Sequence, residues 1–371
     1  MTPWPKYSSE EIQAVSNVLK SGKVNYLYGN IGKEFEKEFA NFVGTNYALA
    51  LANGTLALDI ALRAIGISHG DEVIVTPRSY IASVSSVSLL GGNPKFVDID
   101  FNSQNITAET IEPAITKKTK AIICVHLAGM PCEMDSIMKL ARKHKLKVIE
   151  DCAQAHGAKY KGRSVGSIGH IGTWSFCNDK IMTLGGEGGM ITTNSKQYIN
   201  FAQSFNNHGK NFNKIFKDKN KIPKFRYIHD SIGSNYRMTE MQAAIGRIQL
   251  RNLSNWISTR QKNAKAIFES VADMPIINIP SVDPHLHHAF YKCYLTINHK
   301  FLSDNWSRDR IISEINNFGV KCFSGSCPEI YLEKFYKNNS IPRLPISKKL
   351  GEESLMFEVH PGLTKKNILK I

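Results

Sequence analysis

The fold is decided by residues 147–193, which read KVIEDCAQAHGAKYKGRSVGSIGHIGTWSFCNDKIMTLGGEGGMITT. Three apolar runs in this stretch have the length and composition of short buried strands: Lys147–Asp151, Thr173–Asn178 and Gly189–Thr193. Asp151 ends the first run, and Lys180 follows the second, just before a glycine-rich turn. Polar groups at the ends of buried strands are typical of an α/β sheet that binds a ligand at its edge.

Outward from this stretch, apolar runs alternate with amphipathic ones. Further strands are predicted at Tyr47–Ala52, Glu72–Thr76, Lys95–Asp100 and Lys120–His126. Helices are predicted between and around them, at Glu34–Phe42, Leu56–Ala64, Ile81–Leu90, Thr107–Ile115, Glu133–His144, Ile199–Phe205 and Thr239–Leu253. This order predicts an α/β fold with a mostly parallel seven-stranded sheet and helices on both faces.

The character of the sequence changes near Trp256. A helical pattern over Arg260–Val271 is followed by prolines, a strand-like piece at Phe290–Thr296 and a helical pattern at Arg308–Asn317. We therefore predict a large domain over residues 1–256 and a smaller C-terminal α+β domain over residues 257–371.

Composition and charge restrict the class of protein. No apolar run approaches the roughly 18 residues of a membrane span, and residues 1–5 lack the features of a signal peptide. The seven cysteines are irregularly spaced and form no metal-binding motif. We therefore expect a cytoplasmic protein with reduced thiols, no membrane partner and no metal.

The formal net charge is +15, and the densest basic run extends from Lys210 to Arg226. This run has no helical stripe, so a solvated loop explains it better than an arm that binds nucleic acid. We expect no nucleic-acid partner, although a non-catalytic basic binding protein remains a distant alternative. The charge also suits an anionic small substrate.

Asn53-Gly54-Thr55 lies directly between the first strand and a helix. A glycine turn lets backbone N–H groups approach an anion, and the helix N-terminus adds positive partial charge, so a phosphate would suit this turn. A helix start capped by Thr55 would explain the same residues without any ligand.

Asp151, Lys180 and Ser175 surround the ends of the central strands. A carboxylate at a strand end could hold a pyridine nitrogen protonated, and Gln154 lies on the same side if the chain turns helically there. A lysine among apolar neighbours can become a nucleophile toward carbonyls, and the Ser175 hydroxyl could bind phosphate. Taken alone, Asp151 could instead be part of a turn, and Lys180 could be an ordinary surface lysine.

Taken together, these residues resemble the pyridoxal 5′-phosphate (PLP) enzymes of fold type I, and among them the sugar aminotransferases of the DegT/DnrJ/StrS group. The resemblance runs from Trp4 to about His360. Its motifs are Glu150-Asp151-Cys152-Ala153-Gln154-Ala155-His156-Gly157, Ser175-Phe176-Cys177-Asn178-Asp179-Lys180, Gly186-Glu187-Gly188-Gly189-Met190 and Asn235-Tyr236-Arg237-Met238.

The resemblance implies a role for each matching position. Lys180 would be the catalytic residue and hold PLP as a Schiff base. The cofactor's phosphate would be bound by Gly54, Thr55 and Ser175, and its ring by Tyr80 through stacking, Asp151 at the pyridine nitrogen and Gln154 at the phenolic oxygen. Asn235 would reach the phosphate of a neighbouring subunit, which implies a homodimer with shared active sites.

The resemblance also implies the reaction: transfer of an amino group, with glutamate as the donor, to a nucleotide-linked 4-keto-6-deoxy sugar for glycan biosynthesis. Amination at C4 is predicted, with a C3-aminating relative and a PLP-dependent sugar dehydratase as alternatives. Dehydrating relatives can carry His in place of the lysine, so Lys180 favours transamination. The basic residues predicted to contact substrate are Arg78, His208, Arg237 and His360.

Overall fold

The computed structural model describes residues 4–212, 214, 227–337 and 341–371. Most of the basic run, including Lys217, Lys219, Lys221, Lys224 and Arg226, lies outside the described residues. The helices are α1 Ser9–Ser21, α2 Ile31–Val43, α3 Gly54–Ala64, α4 Ala82–Leu89, α5 Ala108–Ile111, α6 Met134–Lys143, α7 Lys196–Phe205, α8 Glu240–Ser270, α9 Arg308–Asn317, α10 Pro345–Glu353 and α11 Lys365–Lys370. No helix in the described part of the chain combines the length and apolar character that crossing a bilayer requires.

The strands form three sheets. They are β1 Tyr47–Leu51, β2 Glu72–Val75, β3 Asn93–Phe96, β4 Thr119–Val125, β5 Lys147–Asp151, β6 Lys159–Tyr160, β7 Arg163–Ser164, β8 Ile171–Ser175, β9 Gly189–Thr193, β10 Ile277–Asn278, β11 Leu286–His287, β12 Cys293–Ile297, β13 Cys322–Phe323 and β14 Ser354–Phe357. The main sheet has seven strands in the order β1-β9-β8-β5-β4-β2-β3. Strand β9 runs antiparallel to both of its neighbours, and the other pairs are parallel. The predicted mostly parallel seven-stranded sheet is confirmed.

Both faces of the main sheet are buried, as the apolar strands predict. Neighbouring side chains of β4 pack on opposite faces of the sheet. Ile123 packs in the cluster that includes residues of α3 and α4, and Ile122 packs in the cluster that includes residues of α6. Helices α2 and α8 cover the rest of the second face around an aromatic group of Phe35, Phe39, Trp174 and Phe176. These packed layers fix the strand ends in place.

A four-stranded antiparallel sheet, in the order β10-β12-β14-β13, forms what we call the small unit together with α9 and α11. Its core includes Ala264 and Ile267 from the last turns of α8. The α+β character predicted for the C-terminal region matches this sheet and its helices. The boundary predicted between residues 256 and 257 falls inside α8, and we propose that the small unit begins within that helix.

Three elements differ from the sequence-based expectation. Helix α8 runs without a break through the segment that was predicted to separate two helices, and Glu240–Ser270 contains no proline that would interrupt it. Helix α1 was not predicted, although Ser8 and Glu11 form a capping box at its start. Strand β3 occupies Asn93–Phe96 rather than Lys95–Asp100, at the edge of the sheet where Pro94 is tolerated.

Candidate active site

A cavity of about 470 Å³ lies where β1, β5 and β8 end. Gly189, at the start of β9, pairs with Leu51 at the end of β1 and with Ser175 at the end of β8. The ends of β1 and β8 therefore lie on either side of the start of β9. The cavity is lined by seven of the residues predicted to bind or attach the cofactor: Gly54, Thr55, Tyr80, Asp151, Gln154, Ser175 and Lys180. The topology therefore brings together groups that are more than a hundred residues apart in sequence.

The turn at Asn53-Gly54 forms one wall of the cavity. The Asn53 side chain caps α3 by accepting a hydrogen bond from the backbone N–H of Leu56 at 3.0 Å. A Cβ atom on Gly54 would lie 2.5 Å from the Cβ of Ser175, so only glycine allows this approach of α3 to β8. The N-terminus of α3 and Ser175 line the same cavity, and together they fit a phosphate.

Asp151 lines the cavity and is almost fully buried. Its Oδ2 accepts a hydrogen bond from Ser83 Oγ at 2.7 Å, and its Oδ1 accepts one from the backbone N–H of Ala153 at 3.1 Å. Burial raises the pKa of Asp151 above its ordinary value, although these hydrogen bonds and the Lys180 ammonium act to lower it. A buried, rigidly held carboxyl of this kind fits a partner that carries a proton, such as a pyridine nitrogen.

Gln154 lies beside Asp151, as the predicted turn after β5 requires. Its amide oxygen accepts a hydrogen bond from the backbone N–H of Ala128 at 2.8 Å. This bond leaves the amide nitrogen as the group that could donate to a phenolic oxygen.

Lys180 also lines the cavity, from the turn that follows β8. The Trp4 indole nitrogen donates to its carbonyl oxygen at 3.1 Å, and its own N–H donates to the Cys177 carbonyl at 3.1 Å. The Lys180 amine lies 3.4 Å from Asp179 Oδ1 and 5.0 Å from the centre of the Tyr291 ring. The side chain is only 15% exposed, so it is held at the cavity and is not a surface lysine.

A second cavity of about 530 Å³ opens beside the first and shares Tyr80, Gln154 and Lys180 with it. Tyr80 lies at the boundary between the two cavities and is 69% exposed. The far wall of the second cavity comes from the C-terminal region and includes Lys292 and the loop from Phe323 to Cys327. A molecule larger than the cofactor could therefore reach Lys180 from this side.

None of the four predicted substrate residues lines either cavity in the described chain. Arg78 is fully buried, donates to Gln104 Oε1 at 2.8 Å and to Ser354 Oγ at 2.9 Å, and thus ties the main sheet to the small unit. His360 is also buried and is stacked on Trp4. In the single subunit these two side chains pack against protein, and their contact with substrate stays a prediction.

Asn235, predicted to reach a neighbouring subunit, and the predicted substrate residues His208 and Arg237 do not line the cavity of their own chain. His208 and Asn235 are exposed, and the bridge between Asn207 and Asn235 holds their loops together. Arg237 donates to the carbonyl oxygen of Asn206 and to Asn207 Oδ1. The role of Asn235 in a neighbouring subunit stays a prediction.

Three residues of the site were given no role by sequence reasoning: Ser83, Asp179 and Tyr291. Asp179 adjoins Lys180, so its position in the sequence was an available signal. Tyr291 comes from the C-terminal region more than a hundred residues downstream, and no sequence pattern connects it to Lys180.

A buried group of His126, Glu150 and Cys152 has the composition of a metal site. His126 lies 3.1 Å from Glu150, and its other ring nitrogen accepts from the backbone N–H of Cys132 at 3.0 Å. The Glu150 oxygens also accept from the backbone N–H groups of Gly166, Ile168 and Gly169. Because hydrogen bonds occupy these ligand atoms, we interpret the group as a support for the end of β5.

Comparison with known proteins gives matches over almost the whole chain. The sequence profile of the DegT/DnrJ/EryC1/StrS aminotransferase family matches residues 5–371. The chain is 35% identical to the GDP-perosamine synthase of Escherichia coli O157:H7 over 370 residues, which cover 99% of this chain and 95% of the relative. It is 33% identical to the dTDP-3-amino-3,6-dideoxy-alpha-D-galactopyranose transaminase of Aneurinibacillus thermoaerophilus over 369 residues, covering 99% and 94% of the two chains.

A solved structure, the aminotransferase from Psychrobacter cryohalolentis, is 52% identical and superposes with a TM-score of 0.97 over 100% of this chain and 96% of the other. The predicted resemblance is thereby confirmed at the level of both sequence and fold. Since the agreement extends from one end of the chain to the other, the protein belongs to the DegT/DnrJ/EryC1/StrS aminotransferase family and is a PLP-dependent enzyme.

Proposed function

We propose that this nucleotide-sugar aminotransferase transfers an amino group from glutamate to C4 of a nucleotide-linked 4-keto-6-deoxy sugar. The observation that carries the proposal is the single cavity that Lys180, Asp151 and the Asn53-Gly54 turn all line. PLP, when bound there, supplies an electron sink for the carbon next to the transferred nitrogen. The residues of the chain supply attachment, orientation and proton transfer.

Asp151 would hold the proton on the pyridine nitrogen. Its two hydrogen bonds, from Ser83 and from the backbone of Ala153, fix the carboxylate so that it cannot turn away. The protonated nitrogen and the buried carboxylate would stabilise each other's charge, because both lie away from water. Gly54, Thr55 and Ser175 would bind the phosphate at the other end of the cavity.

Lys180 would perform two tasks at one position. Its amine would attach the cofactor and, once displaced by the donor, would move a proton between the donor's α-carbon and the cofactor's C4′. General-base catalysis of this kind contributes about 10²- to 10⁴-fold. A lysine at position 180 supports transamination over sugar dehydration, because dehydrating members of the family can carry His there.

The substrate part of the proposal rests on shape and charge. The second cavity adjoins Lys180 and has room beyond the cofactor, and Lys292 in its wall would favour an anion such as a diphosphate. The C4 assignment rests on similarity to the GDP-perosamine synthases, whereas another relative is named for a 3-amino sugar. Identities of 35% and 33% do not separate these two relatives, so C3 amination is the alternative.

A homodimer with shared active sites is part of the proposal, because Asn235 is exposed and does not line the cavity of its own chain. A role in surface-polysaccharide or O-antigen biosynthesis and a cytoplasmic location are predictions from the sequence. They enter the proposal on that basis alone.

A panel of nucleotide-linked keto sugars tests the proposal. The purified PLP-loaded protein is incubated with glutamate and with GDP-, UDP- or dTDP-linked 4-keto-6-deoxyhexoses, and mass spectrometry identifies the aminated product. NMR of that product then locates the carbon that carries the amine. An amine at C3 would refute the C4 assignment, and amination of free hexoses in preference to every nucleotide sugar would refute the substrate class.

A further inference from the structure

The Lys180 amine has a carboxylate partner from the adjacent residue, Asp179. Asp179 Oδ1 lies 3.4 Å from Lys180 Nζ. The other carboxylate oxygen, Oδ2, accepts a hydrogen bond from the Tyr291 hydroxyl. The Tyr291 ring itself lies 5.0 Å from the Lys180 amine, so carboxylate and ring contact the same ammonium group.

Tyr291 is fixed by the backbone around it. Its N–H donates to the Ala128 carbonyl at 2.8 Å, and its own carbonyl accepts from Arg260 at 3.1 Å. The preceding residue, Phe290, has a φ of 48°, which is strained for an aromatic residue. His288 stabilises this conformation, because its ring stacks on Phe290 at 3.8 Å and its Nδ1 accepts the Phe290 N–H at 2.8 Å. Backbone strain held in this way is typical of functional sites.

The charges around Asp179 keep it ionised. Burial acts to raise its pKa, but Lys180, the Tyr291 hydroxyl and Lys292 act in the opposite direction, and the pKa of Asp179 lies below its ordinary value. Lys292 approaches the Tyr291 ring at 5.1 Å and pairs with Glu358 at 3.4 Å. Asp179 therefore presents a negative charge to Lys180 at neutral pH.

We propose that Asp179 is a positioning residue for Lys180: its carboxylate holds the amine at the cavity and stabilises the positive charge that the amine gains on accepting a proton, while Tyr291 fixes Asp179. The inference rests on the proposed catalytic role of Lys180. Lys180 would take the proton from the donor's α-carbon and give it up again at the cofactor's C4′, while Asp179 would stay ionised and neither gain nor lose a proton. Its effect is electrostatic stabilisation of a charge that develops during the reaction.

Other groups that act electrostatically on Lys180 or lie near it are Asp151, His156, Lys292 and Glu187. His156 is fully buried and its pKa is lowered to about 3, first by burial and then by Lys180 and Arg260, so it is neutral. Asp151 and Glu187 line the same cavity, and Lys292 carries a like charge. Among the acidic groups, Asp179 is the one with a direct ion pair to Lys180 in the described chain.

The test measures the reactivity of Lys180 in the cofactor-free protein, with acetylation of each lysine followed by peptide mass spectrometry. At about pH 8, Asp179→Asn should be acetylated at Lys180 several-fold faster than the unchanged protein, because the substitution removes the carboxylate that pairs with the amine at 3.4 Å. At about pH 11, where lysine amines are largely unprotonated, the two proteins should react alike.

Asp135→Asn is the matched control. Asp135 is 48% exposed and pairs with Lys161 at 2.9 Å, so its substitution should raise acetylation of Lys161 and leave Lys180 unchanged. Tyr291→Phe, which keeps the carboxylate but removes its hydrogen bond, should give a smaller rise at Lys180. If acetylation of Lys180 in Asp179→Asn rises equally at both pH values, the substitution has only improved access of the reagent, and the inference is overturned. Unchanged acetylation of Lys180 in both Asp179→Asn and Tyr291→Phe would overturn it too.

Turnover supplies an independent measurement. Asp179→Asn should lower kcat with little change in the KM for the sugar, and Asp179→Glu should restore part of kcat. A changed KM with unchanged kcat would contradict the positioning role. The labelling result depends on neither the nucleotide sugar nor the carbon aminated, so failure of the substrate proposal can be distinguished from failure of this one.

Discussion

Gly54→Ala tests whether the close approach of α3 to β8 builds the phosphate site. The added Cβ would lie 2.5 Å from Ser175 Cβ, whereas ordinary contacts begin at 3.4 Å, a shortfall of 3.4 − 2.5 = 0.9 Å. Rotation of a side chain cannot relieve this overlap, because both Cβ positions are fixed by the backbone. The start of α3 and the end of β8 must therefore separate.

The expected cost follows from that displacement. Overpacking of a well-packed site costs about 1–3 kcal/mol of unfolding free energy. A movement of this size should also break at least one hydrogen bond to the charged phosphate, which is worth about 1.5–3 kcal/mol, or roughly 10- to 150-fold in the dissociation constant of PLP. Cofactor binding should therefore suffer at least as much as stability.

The assay is titration of the cofactor-free protein with PLP, followed by absorbance, together with denaturant unfolding without cofactor. Adding Ser175→Gly to Gly54→Ala removes the atom in the 2.5 Å contact, although Ser175 Cα remains at 3.0 Å. The double variant should therefore be more stable than the sum of the two single effects predicts. If Gly54→Ala binds PLP as tightly as the unchanged protein, the close approach does not shape the phosphate site and the reasoning is wrong.

Three further predictions concern the other cofactor residues. Lys180→Ala should lose turnover and the borohydride-trappable PLP adduct; an adduct that maps to another lysine would contradict the assignment. Asp151→Asn should keep the fold and lose most activity. Because burial raises the pKa of Asp151 in the folded state, its ionisation destabilises the cofactor-free protein as pH rises above the unfolded value of about 3.9. The cofactor-free Asp151→Asn variant should thus be more stable than the unchanged protein at pH 7 and lose that advantage in acid, as measured by thermal unfolding. Equal stability of the two proteins at both pH values would argue against a raised pKa of Asp151. Mixing inactive Lys180→Ala and Asn235→Ala subunits should restore some activity, and an active monomer in gel filtration would contradict shared sites.

The sequence predicted those parts of the fold that follow from local pattern. The buried strand β5 and its neighbours were found because strands covered on both faces are continuous apolar runs. The unbroken course of α8 was missed, since a change in composition near Trp256 was given more weight than the absence of a proline. Tertiary packing of both halves of the helix decides its continuity, and a local pattern does not contain that information.

The predicted site residues likewise fall into two groups: those placed by a local motif and those whose side-chain direction depends on distant contacts. Residues that belong to contiguous motifs, such as Asp151 with Gln154 and Ser175 with Lys180, do line one cavity. Arg78 was predicted to face substrate because it is charged and near Tyr80, but its side chain points into protein toward Gln104 and Ser354. Side-chain direction in a loop depends on distant partners, so charge and proximity in sequence were insufficient there.

Helix α8 has a consequence for protein engineering. At about 1.5 Å per residue, its 31 residues form a rod of about 46 Å that belongs to the main sheet at one end and to the small unit at the other. A chimaera that exchanges C-terminal regions between relatives at residue 256 would join two helix halves whose buried faces were selected against different partners. Crossovers placed before Glu240 or after Ser270 would instead transfer the helix whole, and libraries built to alter sugar preference should be cut there.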